Sequence, residues 1–408
     1  MYPSPIVHGA TFSISPPANT QASLSPRAAT ESSFFNEVSP DDLSREVYGI
    51  LGIPVDAVDI SEVLRNIEQA SEAARPYLIS TPNLNFLVSS QSDPEFRRSL
   101  LVSDLCPVDG VPIVWIARLL GAPIRRRVAG SDIFEALKSR KNSARPSKVF
   151  LFGAPPGVAQ SASDALNAKS DGVICVGAIY PGFCSVEQMS SDDILQTLNS
   201  SGADFLMLSL GAKKGQSWLL HNHRRLKIPV RSHLGAAINF QGGTLRRAPS
   251  FVRKCGLEWL WRIKEEPHLW SRYWHDGIVL SRLMLTCVLP LVMDTLRFRF
   301  FGERHRANLN VQANHENGRT VVSMTGGATA SNVGYAIPIF REVLTSKQDL
   351  WIDISGVQFI DSRFFGLFMM VWKELRVHGA YLHFTGLSGP SRRAFRLHGF
   401  NYLLHEGS

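Results

Sequence analysis

The sequence predicts an α/β protein. It begins with a parallel sheet carrying helices on both faces, continues into a helical segment rich in arginine and tryptophan, and ends in a smaller α/β unit. Three observations carry this reading. Short apolar runs alternate with helix-period segments from about Tyr48 to residue 235. A basic and aromatic block follows, and a polar stretch at 302–318 precedes a second set of strand and helix patterns. Regular β-then-α alternation implies crossover connections, which set strands parallel and lay helices over the sheet. A length of 408 residues leaves room for about two domains at roughly 100–200 residues each. With 44% apolar and 19% charged residues, collagen-like and wholly disordered classes are excluded.

Residues 1–42 are rich in Pro, Ser, Ala and Thr without periodicity, and are expected to form a disordered tail. Strands are expected at ARPYLIS (74–80), SDLCPVDG (103–110), SKVFLFG (147–153), DGVICVG (171–177), ADFLMLSL (203–210) and IPVRSHLG (228–235). Between them PEFRRSLLV, VPIVWIARLLG, PGVAQSASDALNA, SDDILQTLN and GQSWLLHNHRR suit helices. The expected core spans 43–250, a basic and aromatic appendage 251–301 and a linker 302–318. In the last unit, 319–408, strands at RTVVSMTGG, DLWIDIS and AYLHFTG alternate with helices around Tyr335–Leu344, from Ser362 and from Pro390.

Charge is unevenly placed. The net charge is +8, yet Arg224–Arg306 alone holds 16 basic and 6 acidic residues, so an anionic partner is expected at this stretch. Four of the eight tryptophans (Trp259, Trp261, Trp270, Trp274) lie there, interleaved with Arg262, Lys264 and Arg272. The block is either a packed helical hairpin with solvated charges or a surface for anionic lipid or pyrophosphate. Its apolar run Ile278–Met293 has 16 residues interrupted by Arg282, short of the roughly 20 that a membrane span needs. The N-terminus shows no basic region followed by an apolar run, so no signal peptide is expected. The five cysteines form no C-x-x-C pair and fit reduced thiols in the cytosol.

In parallel sheets ligands bind beyond the C-terminal strand ends, so polar residues there are the candidates for chemistry. STPNLNF places Thr81, Asn83 and Asn85 at one such end, and CPVDGVP places Asp109 at another. Asp before Gly is also ordinary turn chemistry. FLFGAPPGVA resembles a glycine-rich phosphate loop from Gly153 to Gly157 feeding a helix N-terminus, without the G-K-[ST] or G-x-G-x-x-G signatures. No D-x-D offers a carboxylate pair for a nucleotide-bound metal.

Taken in order, STPNLNF, PVDGVPIVWIARLLGAPIRRRVAGSDIF, FLFGAPPG, LSLGAKKGQ and RRAPSFVRKCGLEWLWRIKEEPHLWSRY resemble the WecG/TagA/CpsF glycosyltransferases over roughly residues 45–275. The resemblance implies a Rossmann-like domain and an inverting, metal-independent transferase with no cofactor. It would move a sugar from a UDP-sugar to a polyprenyl-diphosphate-linked saccharide in cell-surface polysaccharide synthesis. It implies Asp109 as catalytic base, Thr81 and Asn83 in a T-P-N pocket, and Gln216 on the glutamine of a P-K-Q-E motif. Here GAKKGQS departs from that motif, with Gly215 before the glutamine and Ser217 in place of the glutamate. Arg262 and Arg272 match basic positions of an appendage that completes the site at the membrane. The implied location is cytoplasmic, peripheral on the inner face of the cell membrane.

The last unit resembles a STAS domain over about 319–404. DLWIDISGVQFIDSRFFGLFMM is similar to the strand–D-S-S-G-x-G–helix signature, with Arg363 at the position normally phosphorylated and Phe364 replacing a glycine. Ser362 is then a helix cap rather than a phospho-switch, and the unit is expected to dock or regulate, with a protein partner open to it. Two other readings stand beside the transferase. One is a catalytically silent, membrane-docked scaffold recruiting a partner through its last unit. The other, nucleic-acid binding, fits poorly with so apolar a basic block, and no nucleic acid is expected as partner.

Overall fold

A computed structural model describes residues 41–140, 145–169, 172–235, 237–301, 309–316 and 319–405. The apolar runs become central strands because their side chains are covered on both faces. β1 (Val47–Ile50) and β2 (Ile53–Asp56) form an antiparallel hairpin. β3 (Tyr77–Ile79), β4 (Ser147–Gly153), β5 (Val173–Ile179), β6 (Phe205–Ser209) and β7 (Val230–His233) form a five-stranded parallel sheet in the order β3-β7-β6-β4-β5. Thus the expected parallel sheet is present. Helices start where side chains cap them: Asn83 accepts from the Phe86 amide, and Asp93 from the Phe96 amide with Pro94 at the first turn.

The stretch 103–110 departs from expectation. It runs beside β3 but makes only isolated bridges, Ile79 with Leu105 and Asp56 with Pro107. Pro107 has no N–H to donate, so a regular ladder cannot continue through it.

The appendage contains the helix Glu258–Glu265 and then a continuous helical run. That run, Pro267–Phe298, is 32 residues long and by length and composition is apolar enough to cross a membrane, which the shorter apolar window in the sequence did not indicate. Its two faces differ. Leu280, Leu283, Met284, Val288, Leu291 and Val292 pack on a core that includes Phe86, Ile113 and Leu120. Trp270, Trp274, Ile278, Leu285, Leu289, Met293 and Leu296 are exposed.

The linker expectation is corrected in part. Within 302–318, Asn310–Glu316 is a strand, β8, antiparallel to β9 (Arg319–Ala328). Its polar composition fits an edge strand with one open face. β10 (Leu350–Ile360) and β11 (Leu382–Thr385) complete a four-stranded sheet in the order β11-β10-β9-β8. The expected tail 1–42 lies outside the described residues except Asp41 and Asp42, and Asp42 is buried rather than part of a tail.

The C-terminal unit is packed into the rest of the chain. Its helix Ser362–Val377 is buried almost throughout, between its own sheet and the β1–β2 hairpin. A Cβ on Gly366 would stand 2.0 Å from the Val47 carbonyl oxygen, so only glycine permits this approach. One apolar cluster joins Leu78, Leu206 and Trp218 to Ile352, Phe368 and Phe395 across the boundary.

Candidate active site

Parallel strands bring all their C-terminal ends to one edge of the sheet. β3 leaves that edge through Ser80–Thr81–Pro82 into Asn83, which caps the helix Leu84–Ser92. The segment Asp104–Asp109 runs alongside. The Ser80 amide donates to the Leu105 carbonyl at 3.0 Å and the Asp109 amide to the Pro82 carbonyl at 2.9 Å. Gly110 has φ +138°, and a Cβ there would lie 3.6 Å from the Asn83 Cβ. Thr81, Asn83 and Asp109 are therefore brought together. Asn83 spends its side-chain oxygen on the Phe86 amide, which leaves its amide group for other contacts.

Asp109 is half-buried, and its carboxyl is pushed up from 3.8 to about 7. Burial is the main cause; Glu258 and Asp132 raise it further, while Arg127 and the Gly130 amide pull it down. Arg127 pairs with Glu258 at 2.7 Å, which ties the appendage helix to the loop beside Asp109. Asp132, in the first turn of the helix Gly130–Lys138, is met by Arg247 and by Arg253 at 3.5 Å. Three arginines thus converge on the base of this edge. The sequence reading did not single out Arg127, Asp132, Arg247, Arg253 or Glu258. Their signal was present in RRRVAGSDIF and RRAPSFVRKCGLE, but the pairing spans more than a hundred residues.

The loop Gly153–Gly157 lies at the same edge, after β4. Gly153 has φ +102°, and a Cβ there would meet the Ser209 carbonyl oxygen at 2.6 Å, so this turn requires glycine. Gly157 has φ +78° with open space around it, and the helix Val158–Lys169 follows directly. β7 and β6 separate β3 from β4, placing this loop about 14 Å from Thr81 at roughly 4.8 Å per strand. It is on the expected edge without touching Asp109.

Gln216 differs from expectation. It is fully buried, and its Oε1 accepts from the Ser80 hydroxyl at 3.2 Å while Nε2 has no partner. Rather than lining an open face, it sits beneath the segment carrying Thr81. Gly215 explains the placement: a Cβ there would lie 2.4 Å from the His233 ring, so the glycine lets this helix press against β7. Ser217 is half-buried on the same helix.

Arg262 lies one turn beyond Glu258, pairs with Glu266 and sits over the Phe240 ring at 5.9 Å. Arg272 is exposed over Tyr273 at 4.9 Å. Four residues on, Asp276 is buried and accepts from the Asn85 side chain at 3.4 Å, joining the long helix to the one that Asn83 caps. Neither arginine contacts Asp109; both stand on helices that wall the edge. Exposed Trp115 and Leu119 belong to the helix that follows Asp109, and Phe251, Leu257, Trp259 and Leu260 to the appendage beside it.

Comparison with known proteins assigns the family. Residues 48–291, more than half of the chain, match the glycosyl transferase WecG/TagA/CpsF family. An N-acetylglucosaminyldiphosphoundecaprenol N-acetyl-beta-D-mannosaminyltransferase of Bacillus spizizenii is 27% identical over 195 residues, covering 48% of this chain and 73% of that protein. The enzyme of the same name from Bacillus subtilis is 26% identical over 196 residues, covering 48% and 74%. The one from Staphylococcus aureus is 22% identical over 216 residues, covering 52% and 82%. Among solved structures, a GTP-binding protein from Sulfolobus solfataricus in complex with GDP matches at 12% identity with a TM-score of 0.19. It covers 64% of this chain and 90% of that one, an agreement too low to carry an argument. The family match contains the strand edge, Asp109 and the arginine cluster: this chain belongs to the WecG/TagA/CpsF family and is a glycosyltransferase.

Proposed function

We propose that the enzyme transfers a sugar from a UDP-sugar to a hydroxyl of a polyprenyl-diphosphate-linked saccharide, with inversion and without a metal, in cell-surface polysaccharide synthesis. The observation that carries this reading is Asp109: a carboxyl titrating near neutrality at the C-terminal edge of a parallel sheet, beside Thr81 and Asn83. A general base is most effective when its pKa lies near working pH.

In one displacement the acceptor oxygen bonds to the anomeric carbon as the bond from that carbon to the β-phosphate oxygen breaks. The bond electrons leave with UDP, and the acceptor proton passes to the Asp109 carboxylate. Diphosphate charge develops as this occurs. Arg127, Arg247 and Arg253 converge nearby, and the helix behind Gly153–Gly157 turns its free N–H groups to the same edge. Arg262 and Arg272 extend the basic wall toward the lipid-linked acceptor. The relatives' names specify a β-D product, as single inversion of an α-linked donor gives.

The exposed face of the helix Pro267–Phe298 supports peripheral attachment at the cytoplasmic membrane surface, because its other face is committed to the core. The last unit is read as a STAS-like domain, supported by three parallel strands, β9, β10 and β11, and by Asp361 capping the helix that follows β10. The transferase reading is favoured over a silent scaffold because the departure at Gly215 has a packing reason and leaves the Asp109 edge assembled.

The test is transfer of labelled sugar from a panel of UDP-sugars, UDP-N-acetylmannosamine included, to N-acetylglucosaminyl-diphosphopolyprenol in vesicles, without added metal and with EDTA. Label entering the lipid with wild type and not with Asp109→Asn supports the reading. A folded, vesicle-bound wild type that transfers no label from any donor would sink it.

A further inference from the structure

We propose that Lys373 of the C-terminal domain is a positioning residue for the catalytic edge, holding in register the two segments that deliver Thr81 and Asn83 on one side and Asp109 on the other. The proposal rests on reading Asp109 as the base.

Lys373 stands on the helix Ser362–Val377 and is only 3% exposed. Its ammonium lies 2.9 Å from Asp42 Oδ2 and 3.0 Å from Asp104 Oδ1, and donates to the Ser103 carbonyl at 3.3 Å. Asp104 is the clip between the two segments. Its Oδ2 accepts from the Leu78 amide at 2.8 Å, and the Asp104 amide donates back to the Leu78 carbonyl at 2.8 Å. From this clip the chains run side by side. Ser103 and Ser80 share a hydroxyl contact at 2.8 Å, Ser80 bonds to Leu105, and Asp109 bonds to Pro82. Thr81 follows Leu78 by three residues and Asp109 follows Asp104 by five. A slip at the clip is therefore carried into the site within three residues on one segment and five on the other.

The charges around Lys373 are balanced. Arg45, Arg231 and Lys373 face Asp42, Asp56 and Asp104, with Arg45 at 2.7 Å from both Asp42 and Asp56. A buried network of this kind contributes little net stability compared with apolar packing, since desolvation offsets attraction; what it fixes is geometry. Lys373 therefore has a more specific use than holding two domains together, which the apolar cluster across the boundary already does. The family match ends at residue 291, so the cation that seats Asp104 comes from outside the family's own region.

The experiment uses the full chain with Lys373→Arg, Lys373→Met, and Lys373→Met combined with Asp104→Asn. The double variant removes one cation and one anion, so no buried carboxylate is left without a counter-charge. Hydrogen exchange is followed in peptides covering 77–83 and 104–110, with β4 and β6 as internal controls, alongside kcat and KM for sugar transfer. Exchange in those two segments is expected to quicken about 10-fold or more in the double variant while β4 and β6 keep their protection. A parallel fall of about 10-fold in kcat, with donor KM within about twofold and partial recovery in Lys373→Arg, is expected. Unchanged exchange at 77–83 and 104–110 in a folded double variant would overturn the proposal, as would unchanged kcat. Quickened exchange in a chain whose wild type transfers no sugar would instead keep the clip and remove the base assignment.

Discussion

Replacing Asp109 by Asn tests the raised carboxyl directly, because the two forms differ in stability by an amount that depends on pH. The folded protein holds the Asp109 proton up to about 7, against an ordinary value of 3.8. A folded pKa above the unfolded one means that the native state binds the proton more tightly. Wild type is then unpenalised below about pH 4, and loses stability as pH rises until the carboxyl is fully ionised above 7. At about 1.36 kcal/mol per unit, the penalty is at most ~1.7 kcal/mol at pH 5 and ~4.3 kcal/mol at pH 8. Asn does not ionise, so Asp109→Asn escapes it. Any change in packing or hydrogen bonding cancels when the two pH values are compared, leaving a difference of about 2.5 kcal/mol in favour of the variant at pH 8. Urea unfolding of both proteins at pH 5 and pH 8 reads this difference. In wild type, kcat/KM for transfer should fall below neutrality along a limb of unit slope, as the base becomes protonated. Arg127→Gln should move that limb upward, since Arg127 is the cation that pulls Asp109 down. Equal stability changes at the two pH values would refute the argument, whatever the activity.

Two further outcomes are expected. Gly215→Ala places a Cβ 2.4 Å from the His233 ring and should destabilise the fold by about 1–3 kcal/mol, seen as a lower melting temperature; an unchanged melting temperature would mean that this helix packs differently. Trp274 and Leu285 are 60% and 68% exposed, so Trp274→Glu with Leu285→Glu should leave stability nearly unchanged. Two apolar anchors at about 1.5 kcal/mol each correspond to a loss of about 100-fold in binding to anionic vesicles. Equal vesicle binding by this double variant would place the attachment on another surface.

What the sequence made legible follows from how local each signal is. β4 and β6 are short apolar runs between turns, and a strand buried on both faces leaves that imprint in the chain itself. Thr81, Asn83 and Asp109 were visible as candidates because polar residues after such runs fall at the C-terminal ends of the strands. β8 was hidden because NVQANHE is an edge strand facing outward, so it has the composition of a linker. The long helix was underestimated because Arg282 interrupts the apolar run. On a helix with one open face, an arginine keeps its head in water and does not end the element. The arginine cluster was out of reach for a different reason: Arg127, Asp132, Arg253 and Glu258 meet only when the appendage folds back over the first domain.

The C-terminal domain has two points of attachment, and together they bear on what it does. Its helix Ser362–Val377 begins against the first domain. Arg363 donates to the carbonyls of Val47 and Arg45, and Asp361 caps the turn by accepting from the amides of Arg363 and Phe364; Ser362 is not the cap expected from the sequence, because its hydroxyl donates to the Leu120 carbonyl at 2.8 Å. Ser362 is 1% exposed, so a phosphoryl group there would have to displace the Leu120 contact and enter a closed interface. A switch by phosphorylation at this turn would work against the packing that holds the two domains. On the other side, Phe298 of the long helix stacks on Phe359 at 4.5 Å, and Arg393 pairs with Asp294. The domain thus touches the segment leading to Asp109 through Lys373, which pairs with Asp104, and the apolar helix through Phe359. Because the turn that begins its buried helix is already occupied within the chain, that turn is not free to recruit a partner. On the role proposed for Lys373, its position couples the seating of the helix to the register of Thr81 and Asp109. On the same proposal, a helix drawn onto a lipid surface would load the interface that positions Asp109.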